Sequence, residues 1–202
     1  MITAIVLAAG TSSRMGQLKQ LLNYHGRPLL RHVIDIISRS SVDKIVVVLG
    51  HRREEVAATL EDLPLQIVAN QDYASGQSSS LKAGLKALAT LSSTPKAETC
   101  RTGVLFVLGD QPLLKPDTIN LLIENFMRHG GIVAPYYRGM RGNPVLFDLS
   151  LRAEFDSLQG DTGAREIIYR HPELLHKIEV TDRGILLDVD TPKDLEVLQH
   201  ER

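Results

Sequence analysis

Near the start of the chain, two cations sit in a run of small residues: Ala8-Ala9-Gly10-Thr11-Ser12-Ser13-Arg14-Met15-Gly16-Gln17-Leu18-Lys19, directly after the apolar stretch Ile2–Leu7. Small residues after a strand let backbone N–H groups approach an anion closely, while Arg14 and Lys19 supply the charge that a polyphosphate requires. The pattern is that of a loop for a nucleoside triphosphate. Its spacing separates it from two common phosphate loops. A Walker A loop needs Gly, four residues and then Gly-Lys-Ser/Thr, whereas five residues divide Gly10 from Gly16 and Gln17 follows. The dinucleotide fingerprint Gly-x-Gly-x-x-Gly fails at Ser12, which argues against a nicotinamide or flavin enzyme.

Two further segments carry polar groups at the ends of apolar runs. Asp110, in Gly109-Asp110-Gln111-Pro112, follows Val104–Leu108, where a carboxylate suits Mg²⁺ and phosphate oxygens. The plainer reading of Asp110 is a turn former. Asn70 and the stretch Gly76-Gln77-Ser78-Ser79-Ser80 offer amide and hydroxyl groups to a pyrimidine edge or sugar hydroxyls. Gln77 or Ser78 also reads as the N-cap of a helix over Ser78–Leu88, and the two roles are compatible.

In order along the chain, the L-A-A-G-x-x-x-R-M-G-x-x-K run, Asn70 to Leu81, Gly109–Pro112, Arg141-Gly142-Asn143-Pro144, Gly160-Asp161-Thr162-Gly163-Ala164-Arg165 and Asp188-Val189-Asp190-Thr191-Pro192 resemble the MobA-like nucleotidyltransferases, and within them the molybdenum cofactor cytidylyltransferases. The resemblance implies a three-layer α/β/α fold with a mostly parallel Rossmann-like sheet, of nucleotide-diphospho-sugar transferase type. It implies that Leu7, Ala8, Ala9, Gly10, Arg14, Lys19, Asn70, Gly76, Gln77, Ser78 and Ser80 hold the nucleotide, with Arg14, Lys19 and Asp110 catalytic. Asp110 and Asp190 would hold the metal, Mg²⁺, with Asp188 in reserve. Arg141, Gly142, Asn143, Asp161 and Arg165 would lie on the acceptor side, although members usually carry His at the position of Asn143. Asp161 reads equally well as the N-cap of a helix running to about Tyr169.

These residues need elements to position them. Apolar and amphipathic stretches alternate as strands over Ile2–Leu7, Lys44–Leu49, Leu65–Ala69 and Val104–Leu108 and helices over about Pro28–Ser38, Arg52–Leu60 and Ser78–Leu88. Such alternation predicts a parallel sheet covered on both faces, whose ligands bind beyond the C-terminal strand ends. Gly10–Lys19, Asn70–Ser80 and Gly109–Pro112 all follow predicted strands and so converge. Later apolar segments near Gly131–Ala134, Pro144–Phe147, Leu175–Val180 and Ile185–Leu187 break the alternation, and some should pair antiparallel. Thr191 reads as an N-cap with Pro192 in the first turn and Asp194 near N3.

At 202 residues, the expectation is one nucleotidyltransferase domain over 1–202, with a nucleotide-binding half to about 112 and an acceptor-binding half from about 113. A net charge of −1 gives no general attraction to nucleic acid. No apolar run approaches a membrane span, and the lone Cys100, in the polar stretch Ser92–Thr102 expected to be mobile, fits a reducing compartment; cytoplasmic residence is the default. Histidine spacing supports no zinc site. The expected activity is transfer of CMP from CTP to the phosphate of molybdopterin/molybdenum cofactor, with a molybdenum hydroxylase as recipient of the product. Guanylyl or sugar/alditol-phosphate transfer, and a molybdenum cofactor-binding chaperone, are the alternatives.

Overall fold

The computed structural model describes residues 1–12, 15–91 and 101–200. Arg14, Cys100 and most of the Ser92–Thr102 stretch lie outside the described residues. Strand β1 (Ile2–Ala8) is buried along almost its whole length, because both faces of the sheet are covered. Ile2, Ala4 and Val6 join one core, and Ile5 joins the other, as the two-residue period of a strand requires.

A hairpin of β2 (Asn23–Tyr24) and β3 (Arg27–Pro28) leads into α1 (Leu29–Ser38). Strand β4 (Lys44–Leu49), α2 (Arg53–Ala58), β5 (Gln66–Ala69), α3 (Gln77–Leu91) and β6 (Gly103–Leu108) complete the regular alternation. All four expected strands and all three expected helices of this half form, with ends shifted by up to three residues.

Beyond β6 come α4 (Pro116–His129), β7 (Ile132–Tyr137), β8 (Met140–Arg141) and β9 (Val145–Asp148). Helices α5 (Arg152–Asp156) and α6 (Arg165–Arg170), strand β10 (Leu175–Glu179) and helix α7 (Pro192–His200) finish the chain. Helix α4 was not anticipated, yet Pro116 opens it and Ile119, Leu122, Ile123 and Phe126 are buried at helical spacing. Removing the fully buried Phe126 ring would cost about 3–5 kcal/mol. The apolar segment Ile185–Leu187 is no strand; Arg183–Leu186 coils into a 3-10 turn, where Asp182 accepts from the Gly184 N–H.

The eight-stranded sheet runs β10-β7-β9-β6-β1-β4-β5, with β8 on β7. Strand β9 is antiparallel to both β6 and β7, and β8 is antiparallel to β7, so the expected antiparallel pairing falls in the later half. Helices α1, α2 and α4 cover one face and α3, α5 and α6 the other, around two separate apolar cores. The expected three-layer α/β/α architecture is therefore what the chain adopts. No described helix is long and apolar enough to cross a membrane.

Candidate active site

The loop after β1 is held from inside by a residue that the motif does not include. Gln20 is buried, and its Nε2 donates to the carbonyls of Ala8 at 2.8 Å and Gly10 at 3.1 Å. Ser12 stands at a positive φ of 54°, its carbonyl accepting from the Met15 N–H and its Oγ from the Lys19 N–H. Met15 and Leu18 are buried and anchor the loop to the core. Leu7, Ala8, Gly10, Lys19 and Asp110 line a recess of about 170 Å³ at this strand end.

Lys19 Nζ stands 2.8 Å from Asp110 Oδ2 and 2.8 Å from Asp190 Oδ1. Burial alone would lower the Lys19 pKa, but the two carboxylates outweigh it and hold the pKa above its ordinary value. The predicted metal pair, 80 residues apart in sequence, is thus joined by one ammonium (190 − 110). The connection is reinforced by the backbone, since the Val189 N–H donates to the Asp110 carbonyl at 2.9 Å. A divalent cation fits this donor set: Asp110 Oδ1 is buried without a hydrogen-bond donor among the described residues, and hard cations prefer carboxylate oxygens.

Asp188 is a further carboxylate within electrostatic reach of Asp110 and Asp190, without completing a three-ligand cation cluster with them among the described residues. Gln111, almost fully buried, donates from Nε2 to Asp188 Oδ1 at 2.7 Å and to the Ile185 carbonyl at 3.1 Å. Burial, and then the Asp110 charge, raise the Asp188 pKa above the ordinary carboxylate value against the opposing Gln111 hydrogen bond. Half-buried His32 of α1 supports the same turn by a hydrogen bond to the Pro112 backbone and an edge contact with Tyr24 at 4.8 Å. Desolvation dominates there and lowers the His32 pKa.

Asn70 and the Gly76–Ser80 stretch come together after β5. Buried Asn70 donates to Ser79 Oγ at 2.8 Å and Ser80 Oγ at 3.0 Å, and its own Oδ1 accepts from the Asp72 N–H. The capping expectation fails here: α3 begins at Gln77, so the residue before it is Gly76, at φ 106°. Ser78 uses its N–H on the Gly160 carbonyl at 3.1 Å instead. Any side chain at Gly76 would overlap the Gly160 carbonyl group, so only glycine lets the two loops touch.

That contact brings the acceptor-side segments onto the same end of the sheet. Gln77, Arg141, Asn143, Asp161, Arg165 and Asp188 surround a pocket of about 420 Å³. Gly142 permits this by passing close to Ile185, whose carbonyl would lie 2.5 Å from any added Cβ; the Asn143 N–H donates to that carbonyl. Asp161 is not a cap: α6 starts at Arg165 after Ala164, which leaves Asp161 on the pocket wall. Burial, and then the neighbouring Arg165 charge, lower the Arg141 pKa. Neither arginine meets a carboxylate partner among the described residues.

Gln20, His32 and Gln111 are the supporting residues that sequence reasoning missed. Only Gln111 had a signal, its place within the Gly-Asp-Gln-Pro turn.

Residues 4–174 match the model of the MobA-like NTP transferase domain. The nicotine blue oxidoreductase of Paenarthrobacter nicotinovorans is 32% identical over 96% of this chain and 94% of its own length. The molybdenum cofactor cytidylyltransferase of Escherichia coli K12 is 28% identical over 96% of this chain and 93% of its own. The crystal structure of Rv0371c from Mycobacterium tuberculosis H37Rv superposes with a TM-score of 0.82 at 29% identity, covering 99% of this chain and 98% of that one. The same protein has been solved in complex with manganese, with a TM-score of 0.80 at 28% identity over 100% of this chain and 99% of that one. With its glycine-containing loop after β1, its carboxylates at one end of the sheet and its nucleotide-diphospho-sugar transferase fold, the chain belongs to the MobA-like NTP transferase family and to its nucleotidyltransferase chemistry.

Proposed function

We propose that this protein transfers CMP from CTP to the phosphate of molybdopterin/molybdenum cofactor, releasing pyrophosphate. The observation that carries the reading is the placement of Lys19, Asp110 and Asp190 beside a pocket that presents Arg141 and Arg165, neither in an ion pair among the described residues. One group of residues suits a triphosphate and its cation, the other an anionic acceptor. The similarity to the E. coli cytidylyltransferase supports the choice of both CTP and acceptor.

In this reaction an oxygen of the acceptor phosphate forms a bond to the α-phosphorus of CTP. The bond from that phosphorus to the bridging oxygen breaks, and its electron pair leaves with pyrophosphate. No covalent protein nucleophile is needed, so the protein's work is alignment and charge neutralisation. Arg141, Arg165 and Asn143 hold and orient the acceptor phosphate, while Asp161 bounds its pocket. Lys19 follows the triphosphate and stabilises charge on the leaving group, with Arg14 as its partner in the same loop. Leu7, Ala8, Ala9, Gly10, Asn70, Gly76, Gln77, Ser78 and Ser80 shape the nucleotide side. Asp110 and Asp190 would hold Mg²⁺, which would polarise phosphoryl oxygens and offset their charge.

The relative named as an oxidoreductase supplies a rival, against which stands the missing Gly-x-Gly-x-x-Gly at the β1 turn. The deciding experiment is pyrophosphate release with Mg²⁺ and purified molybdenum cofactor, comparing CTP, GTP and ATP. Release specific to CTP is the expected result. Release only with a sugar phosphate, or none with any nucleotide, would overturn the proposal.

A further inference from the structure

The two edges of the main sheet are defended differently. Strand β10 carries Lys177 and Glu179, charges of the kind that discourage another strand from pairing. Strand β5 reads Gln66-Ile67-Val68-Ala69, with no charge, and among the described residues it hydrogen-bonds to β4 on one side only. Ile67 is 38% exposed. An uncharged open edge is a template for strand addition.

A groove of about 930 Å³ runs along that edge, between β5, the flank of α3 and Leu158–Gly160. Lys82 and Lys86 of α3 line it, and neither has a carboxylate partner among the described residues. Its carboxylate, Asp72, comes after the end of β5. Gln66 Oε1 is buried there without a donor among the described residues. One end of the groove reaches Asn70 and Ser78 of the proposed nucleotide side, whereas Asp110, Asp188, Asp190, Arg141 and Arg165 do not line it.

The spacing selects the occupant. Four helical residues separate the lysines by about 6 Å along α3. Alternate side chains on one face of an extended strand are about 6.6 Å apart. Acidic residues at every second position of an added strand therefore match the lysine pair while the backbone pairs with β5. A second copy of this chain fits poorly, because joining two β5 edges about a twofold axis brings two sets of the same lysines together.

We infer that the β5 edge and the Lys82/Lys86 flank of α3 form a docking site for an extended, alternately acidic segment of another polypeptide, bound by strand addition. The test uses fluorescence anisotropy with the full-length protein and a dye-labelled peptide of alternating Val and Glu. A counterpart with Lys in place of Glu serves as control, with two N-methylated versions, one for each set of alternate residues. Expected is saturable binding of the Val–Glu peptide alone. It should weaken at least about tenfold in the Lys82→Glu/Lys86→Glu variant and with one methylation pattern but not the other. Thermal melting of the variant should stay close to that of the parent, which separates lost binding from lost fold. No saturable binding would overturn the inference. Binding indifferent to both methylation patterns would assign the groove to anions without strand pairing, and a sedimenting dimer whose formation excludes the peptide would assign the edge to self-association.

Discussion

The two sides of the ligand-facing end are built by different means. On the side proposed for the triphosphate, the residues come from one short loop, and Gln20 ties that loop back to the Ala8 and Gly10 carbonyls within a dozen residues. On the side proposed for the acceptor, Arg141, Arg165 and Asp188 arrive from three separate segments, positioned by glycines that let backbones touch. The first is a local motif carried by a strand. The second exists only when the tertiary structure does. A local loop can therefore recur as a unit in many contexts, whereas the acceptor pocket can be retuned by any of several distant segments.

Substitutions can break or sharpen this contrast. The largest effect is expected at the carboxylates shared by both sides: Asp110→Asn should lower turnover by at least about a hundredfold in a pyrophosphate-release assay with little change in melting temperature. Gly76→Val attacks the backbone contact with Gly160 and should cost about 3 kcal/mol in urea denaturation, combining overpacking with an unfavourable φ. If the acceptor side is modular, Arg141→Ala and Arg165→Ala should each raise KM for the acceptor about tenfold while KM for CTP holds steady. Equal changes in both constants would show that the two sides act as one. On the loop side, Lys19→Met removes the ammonium that competes for Asp110 and Asp190, so titration calorimetry with Mn²⁺ alone should show binding about tenfold tighter. Unchanged Mn²⁺ affinity would count against those two residues as the metal ligands.

The smallest effect belongs to the exposed Arg31–Asp62 pair, in which the guanidinium holds the Asp62 pKa down to about 2. A depressed carboxylate pKa contributes stability above its ordinary value of 3.8 that fades as pH falls towards 2. Asp62→Asn should thus lower the melting temperature slightly at neutral pH, and the difference should vanish near pH 2.

The same contrast governs what could be read from sequence. Strands β1, β4, β5 and β6 and the loops behind them were legible because their signals are contiguous: apolar β-branched runs followed by small or polar residues. The order and convergence of these loops followed from the parallel alternation. Asp161 was ambiguous because capping depends on where α6 begins, and three further residues pass before it does. Helix α4 carried a usable pattern, with Pro116 ahead of the spaced apolar residues, but the break in strand–helix alternation masked it. The Lys19 contacts with Asp110 and Asp190 could not be seen, since sequence types fix charge but not which charges meet.

Strand β9 sits between β6 and β7, antiparallel to both, yet it follows both in the chain. During synthesis the growing polypeptide therefore reaches β6 with that strand's outer edge still bare, and the covering strand emerges only after α4 and β7 have been made. The nascent sheet cannot be completed from one end to the other; it closes by insertion. That central seam can close before Arg165 and Asp188 have been made, so the frame precedes the acceptor pocket, which waits for the chain beyond β9.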